Sequence, residues 1–198
     1  MNFKLVFQKI KNREHTLPLL LISVLVLVVY ILTMPPGYTW AHFGYDAGDL
    51  ISCVYTWGIP HPPGTPLYVL IGQVFRYLPF FKNPAARFNF MSTFFGWFSV
   101  LLVYLCSFRL TGKRFAALVA ALFFAFTPLI WGQSLIAEVL TLNLFLLAAA
   151  TYLFLLWERS VLFDRCENRY LYFALLRCGV PVPRHPPAIP LASPILFL

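Results

Sequence analysis

The sequence predicts an all-α integral membrane protein, a multispan helical bundle, and three observations carry that prediction. The chain is 60% hydrophobic and only 11% charged, with a mean hydropathy of +0.76, which is too apolar for a soluble domain. Its hydrophobic residues gather in runs of span length, separated by basic links. Indoles close two of those runs, Trp131 and Trp157, at the depth where headgroups favour them.

The first run, 17–33, follows a basic start with Lys4, Lys9, Lys11 and Arg13. It is at the short end for a span. The Met-Pro-Pro-Gly-Tyr-Thr-Trp that follows offers no small-x-small cleavage site, so the run reads as a retained first helix and not a signal peptide. The connection 34–87 is the outer loop. Within it, 47–57 and 66–78 are amphipathic stretches too short to span, and they are expected to lie along the interface or to dip in and return. Spans are expected at about 88–108, 115–131 and 137–157, the last two joined as a hairpin through a tight link at Trp131 to Ser134. A fifth, 170–198, is interrupted by Pro181, Pro183, Pro186, Pro187, Pro190 and Pro194. Residues 1–198 thus read as one transmembrane domain, the N-terminal part of a longer protein.

Charge sets the orientation. Besides the basic start, Arg109, Lys113 and Arg114 separate the second and third runs, and Arg159, Arg165 and Arg169 follow the fourth. Excess Lys and Arg mark the cytoplasmic side, so the N-terminus is expected there. Asp46, Asp49, His61 and Glu138 then fall together outside. The formal charge of +8 flanks apolar runs instead of forming one patch. It reads as topology signal and anionic-lipid contact, and nucleic acid is excluded as a partner. Cys53, Cys106, Cys166 and Cys178 form no disulfide framework and no metal-type spacing.

Three constellations carry chemistry. In Tyr45-Asp46-Ala47-Gly48-Asp49, Asp46 stands where a helix N-cap would be and Asp49 in the first turn. Capping and the helix dipole explain one acid well and two less well. Acids beside a bilayer are costly, and their default reading is functional. In Gly58-Ile59-Pro60-His61-Pro62-Pro63-Gly64-Thr65-Pro66, the prolines make a rigid elbow that presents His61 to a phosphate or a base. Around the fourth run, Glu138 is expected to open the helix, with Thr141 and Asn143 deeper. Arg87, at the outer end of the second run, either holds a phosphate by a bidentate contact or anchors at the headgroups. There is no Walker loop, dinucleotide fingerprint, Gly-x-Ser-x-Gly or His-Glu-x-x-His.

At Asp46-x-x-Asp49-Leu50-Ile51, Gly58 to Tyr68, Arg87-x-Asn89 and Trp131-x(6)-Glu138-Val139-x-x-Leu142-Asn143, the chain resembles the polytopic family catalogued as domain of unknown function 2723. Animal members of that family act as protein O-mannosyltransferases, and the family is similar to the GT-C superfamily of glycosyltransferases. The resemblance runs from about Asp46 to Asn143 and weakly to Leu198. It implies a GT-C-like bundle whose first outer loop carries the acid near the reacting centre, and a sugar taken from a polyprenyl-phosphate carrier. Two departures stand out. Asp49 replaces a frequent glutamate. Gly179 to Pro186 is Pro-rich where a Gly-rich helical segment is expected, which marks the end as a fragment or a frame slip.

The expected function is therefore transfer of a mannose-like sugar from a lipid-phosphate donor to a hydroxyl of a protein or glycan acceptor on the outer face. Asp46 is assigned as base and Asp49 as its partner. His61, Arg87 and Glu138 are assigned to substrate binding, the first two on the phosphate side. No cofactor and no metal ligand set is indicated, although a divalent ion between Asp46 and Asp49 belongs to a rival hydrolase reading. A non-enzymatic scaffold or transporter component competes with the enzyme reading, as does an inactive fragment. The expected location is multi-pass in a membrane, the plasma membrane if the source is prokaryotic.

Overall fold

An uncharged apolar run can satisfy its backbone in lipid only by hydrogen-bonding to itself, and Thr16–Thr33 does so as helix α1. The computed structural model describes residues 16–62 and 65–162. After α1 come a 3₁₀ turn at Ala41–Phe43, then α2 (Ala47–Thr56), α3 (Pro66–Phe75), α4 (Pro84–Thr111), α5 (Arg114–Phe126), α6 (Pro128–Gln133) and α7 (Leu140–Leu162). The protein is an all-α membrane bundle, with no strand among the described residues.

α4 is its axis. With 28 residues it runs about 42 Å, and α1, α5 and α7 pack around it. Asn83 starts it by accepting the Ala85 N–H at 2.9 Å, with Pro84 at the first position. Gly112 stops it in the left-handed conformation, φ 66°. α1 is tied on by two donors. The Tyr30 hydroxyl donates to the Ala125 carbonyl at 2.7 Å, and the Trp97 indole donates to the Ser23 carbonyl at 3.0 Å.

Helices α1, α4 and α7 are long and apolar enough to cross a membrane. The third predicted segment is broken. Pro128 lacks an N–H and forces Thr127 toward extended backbone, ψ 129°, so α5 ends at Phe126 and the short α6 begins anew. Helix α7 starts at Leu140, not at 137, and Glu138 precedes it instead of opening it. The predicted 170–198 segment and the basic start lie outside the described residues. α2 and α3 are ten residues each, too short to span. Exposed Trp40, Trp57, Tyr77 and Phe80 surround them, as suits helices at headgroup depth.

The expected surface hairpin between the third and fourth segments is instead a buried, non-helical stretch, with residues 134–137 in the core. In a bilayer protein such backbone needs partners, and one face of α4 supplies them. Asn89, Ser92, Thr93 and Gly96, at the i, i+3, i+4, i+7 spacing of one helix face, meet it directly. Asn89 Oδ1 accepts the Ala137 N–H at 2.9 Å, Ser92 Oγ accepts the Glu138 N–H at 3.1 Å, and Thr93 Oγ1 donates to the Ser134 carbonyl at 2.7 Å. A Cβ on Gly96 would stand 2.9 Å from Ser134 Cβ, so this close approach needs glycine.

The same face ties down the loop. Asn89 Nδ2 donates to the Pro35 and Gly37 carbonyls, and the Trp131 indole donates to Thr33 Oγ1. The bundle therefore has a loop end, holding α2, α3, α6 and residues 134–139. Its opposite, basic end holds Arg109, Lys113 and Arg114, and there Arg109 Nη2 donates to the Tyr152 hydroxyl at 3.0 Å.

Candidate active site

Helix α2 carries Asp46 at its first boundary and Asp49 in its first turn. Three residues apart, they share one face, flanking the buried stripe of Ala47, Leu50, Cys53 and Val54. The helix stops at Trp57, held left-handed at φ 56°, while the Gly58 N–H donates to the Cys53 carbonyl at 2.9 Å. That reversal, stiffened by Pro60 and Pro62, returns the chain along α2 and lays His61 over both acids.

The contacts are direct. The His61 backbone N–H donates to Asp49 Oδ2 at 2.9 Å, and Nδ1 of the ring lies 2.7 Å from the same oxygen. Nε2 lies 3.3 Å from Asp46 Oδ2. The result is a carboxylate–imidazole–carboxylate cluster, its side chains between 32% and 42% exposed. Capping does not explain Asp46, whose side chain makes no cap hydrogen bond and whose own backbone is helical, φ −84° and ψ −10°. Asp49 is held below the ordinary carboxylate value of 3.8, first by the His61 backbone N–H and then by the His61 ring. It is a firmly ionised, weakly basic acceptor. Cys53, which donates its S–H to Asp49 Oδ1 at 3.6 Å, has its thiol raised by burial and by the Asp49 charge. That makes it a poor nucleophile.

Glu138 arrives by the other route, on the buried stretch that α4 receives. Its backbone is clamped by Ser92 Oγ, and its Oε1 accepts the Val139 N–H at 3.1 Å. Ala137 and Leu142, on either side of it, pack in one cluster with Ala47, Leu50 and Val54 of α2 and Tyr68 of α3. Tyr68 is 1% exposed. Burial, and then the Glu138 charge, push its phenol up, so it stays a neutral donor.

Arg87 sits at the loop end as expected, and its guanidinium binds backbone. Nε donates to the Phe81 carbonyl at 2.9 Å and Nη1 to the Arg76 carbonyl, which fastens the α3–α4 linker. Arg76 in turn lies over the rings of Tyr55 and Tyr77 and donates to Gln73, which donates to the Val54 carbonyl. The structure thus joins Asp46, Asp49 and His61 in contact and sets Arg87 and Glu138 at the same end of the bundle. The loop is further locked where Gln133 donates to the carbonyl of His42, a residue at φ 57°. Gly132 is the close neighbour there, since a Cβ would come 2.7 Å from the His42 ring. Among the described residues, no group of three or more His, Cys, Asp or Glu is placed to hold a metal ion.

Sequence reasoning marked Asn89 in the Arg87-x-Asn89 motif but missed Ser92, Thr93 and Gly96 on the same face, although their helical spacing inside an apolar run was the available signal. Tyr68 stood there only as the last residue of the Gly58-to-Tyr68 block, with no role assigned to it.

The family model described as protein O-mannosyl-transferase TMEM260 N-terminal domain matches residues 46–198. The protein O-mannosyl-transferase tmem260 of Dictyostelium discoideum is 24% identical over 199 residues, covering 96% of this chain and 24% of that protein. Protein O-mannosyl-transferase TMEM260 of Mus musculus is 37% identical over 118 residues, covering 60% of this chain and 16% of that protein. The chain thus spans about a quarter or less of the length of these relatives. No solved structure matches it.

Proposed function

We propose, from the premise that the chain belongs to the protein O-mannosyl-transferase TMEM260 N-terminal domain family, that its loop end is the reaction centre of a membrane glycosyltransferase. The substrates are a mannosyl polyprenyl phosphate and a hydroxyl of a protein or glycan. The observation that carries this reading is the Asp46–His61–Asp49 cluster, set at one end of the bundle on helices too short to span.

Each residue has a distinct part. Asp46 is the base and takes the acceptor hydroxyl proton. The acceptor oxygen forms a bond to the anomeric carbon as the bond from that carbon to the phosphate oxygen breaks. The lipid phosphate leaves with the electron pair, and a single displacement inverts the anomeric centre. Phosphate is already a good leaving group, so one base and some positive or hydrogen-bonding help are enough. Asp49 is a positioning residue, since its oxygen holds both the backbone and Nδ1 of His61. Nε2 is the more loosely held nitrogen, and it can exchange Asp46 for the donor phosphate. Arg87 is the second phosphate-side group, in addition to its hold on the linker. The loop end faces the non-cytoplasmic side, because Arg109, Lys113 and Arg114 gather at the opposite end.

The test is transfer of labelled mannose from a short-chain polyprenyl-phosphate donor to acceptor protein, using membranes that contain the full-length gene product. Transfer above that of membranes without it is expected. Absence of transfer with saturating donor and folded protein would overturn the reading.

A further inference from the structure

Buried polar atoms of a membrane bundle are ordinarily paired, because an unpaired one is costly in a medium without water. Several side-chain atoms among the described residues break that rule, and four of them lie on the two elements that follow His61 and Glu138 at the loop end. The Tyr68 hydroxyl, Thr65 Oγ1, Asn143 Nδ2 and Thr141 Oγ1 are buried and have no hydrogen-bond partner; Thr141 is turned toward Gly96 of α4, which leaves the other three. Thr65 and Tyr68 are three apart, on one face at the start of α3. Thr65 stands at the helix boundary, yet its hydroxyl caps nothing. Asn143 is in the first turn of α7, next to Leu142, which packs in the same cluster as Tyr68. The Glu138 carboxylate lies close enough for its charge to act on the Tyr68 phenol. One fixed acceptor, one amide and two hydroxyls thus belong to the loop end, where Tyr68 shares a packed cluster with Ala137 and Leu142, the residues that flank Glu138 and precede Asn143.

We propose that Tyr68, Thr65, Glu138 and Asn143 form a hexose subsite, which binds the ring hydroxyls of the donor sugar and holds the anomeric carbon toward Asp46. This rests on the glycosyltransferase reading and adds the residues that select the sugar. Alternating donors and acceptors in a dry site suit a polyol. A site built to bind a hydroxyl also discriminates sharply against an analogue that lacks it. Tyr68 is the sharpest probe, since its ring serves the core and only its oxygen is left for a ligand.

The experiment compares Tyr68→Phe with wild type in the full-length protein, using mannosyl polyprenyl phosphate and its four monodeoxymannosyl analogues. Tyr68→Phe is expected to raise the donor KM about 10-fold or more with kcat little changed. With the one deoxy donor that lacks the hydroxyl bound by Tyr68, wild type and variant are expected to coincide. Folding should be unharmed, because the variant removes an unpaired group. A second readout needs no turnover: donor-induced thermal stabilisation, measured in the Asp46→Asn background with and without Tyr68→Phe. A stabilisation that Tyr68→Phe abolishes supports the subsite even if transfer is never seen. An unchanged KM and an unchanged stabilisation in Tyr68→Phe would overturn it, as would no stabilisation by donor in either protein. Failure of the glycosyltransferase reading itself shows separately, as absence of transfer by the folded wild-type protein with saturating donor.

Discussion

Asp46→Asn separates chemistry from structure, because the geometry makes the structural term small. The Asp46 side chain caps no helix N–H, so the capping loss of about 1 kcal/mol that a true cap would suffer has no contact here to come from. His61 Nε2 lies 3.3 Å from it, with both side chains about one-third exposed. Such a pair contributes about 0–1 kcal/mol, and asparagine retains an oxygen that can accept from Nε2. The rate term is much larger. Loss of a general base costs about 100- to 10,000-fold, or about 3–5 kcal/mol in the barrier. The assay is mannose transfer per folded molecule in the full-length protein, with thermal unfolding of the same preparation as the control for folding. A large rate loss with a small unfolding shift is expected. Wild-type turnover in Asp46→Asn would refute the argument. If Asp49→Asn alone abolished transfer, the base would lie one helical turn further on.

The remaining predictions test orientation, linkage and packing. Cysteines placed at the exposed positions Ser52 and Lys113, in a background freed of the four native cysteines, should react with an impermeant thiol reagent from opposite faces of the membrane, Ser52 from outside. The reverse pattern would place the cluster on the cytoplasmic side. Asp49 has a depressed folded-state value, so its stabilising contribution is present above the ordinary 3.8 and lost as pH falls through the lower folded value. Wild type should therefore be more stable than Asp49→Asn at pH 7, and the gap should close below about pH 3.8. A constant gap from pH 7 to pH 3 would contradict the His61–Asp49 hydrogen bonds. Asn89→Ala strands the buried Ala137 N–H and frees the Pro35 and Gly37 carbonyls, and should cost about 2–4 kcal/mol, read as a lower unfolding temperature in detergent.

Much of the bundle was legible because lipid leaves few choices. Composition and basic links gave the helical membrane class, and helices stand at 16–33 and 84–111 near the runs that hydropathy marks. The placement of 131–139 was not legible. Hydropathy averages over a window and cannot see that Ser134 to Glu138 leaves helix to bond Asn89, Ser92 and Thr93 side chains. Pro128 was visible as a breaker, yet whether a Pro kinks or splits a helix depends on packing that the sequence does not print. In the site, spacing put Asp46 and Asp49 on one face. What spacing cannot supply is the turn at Trp57, where a non-glycine residue takes positive φ and sends His61 back over the acids. The Gly58 N–H, which donates to the Cys53 carbonyl at 2.9 Å, closes that turn.

The position of the cluster also weighs between the proposed enzyme and a transporter. A transporter places broken helices and its polar site near the bilayer midplane. Here the helix break at Thr127–Pro128 stands one turn before Trp131, whose indole binds Thr33 at the end of α1, so the break belongs to the loop end. The acids share that end, on α2, while the inner faces of α1, α4 and α5 close on Ile22, Val26, Val100, Ala117 and Ala121. A polyprenyl carrier keeps its phosphate at headgroup depth, because the charge cannot enter hydrocarbon. The bond to be broken is then at a fixed height, and the catalyst need only wait at that height. Two short helices at the bundle end, stiffened by the Pro60–Pro62 elbow and tied to α4 where Arg87 donates to the Arg76 carbonyl at the end of α3, hold carboxylates and imidazole there without burying a charge in lipid. That arrangement suits chemistry on a lipid-held substrate.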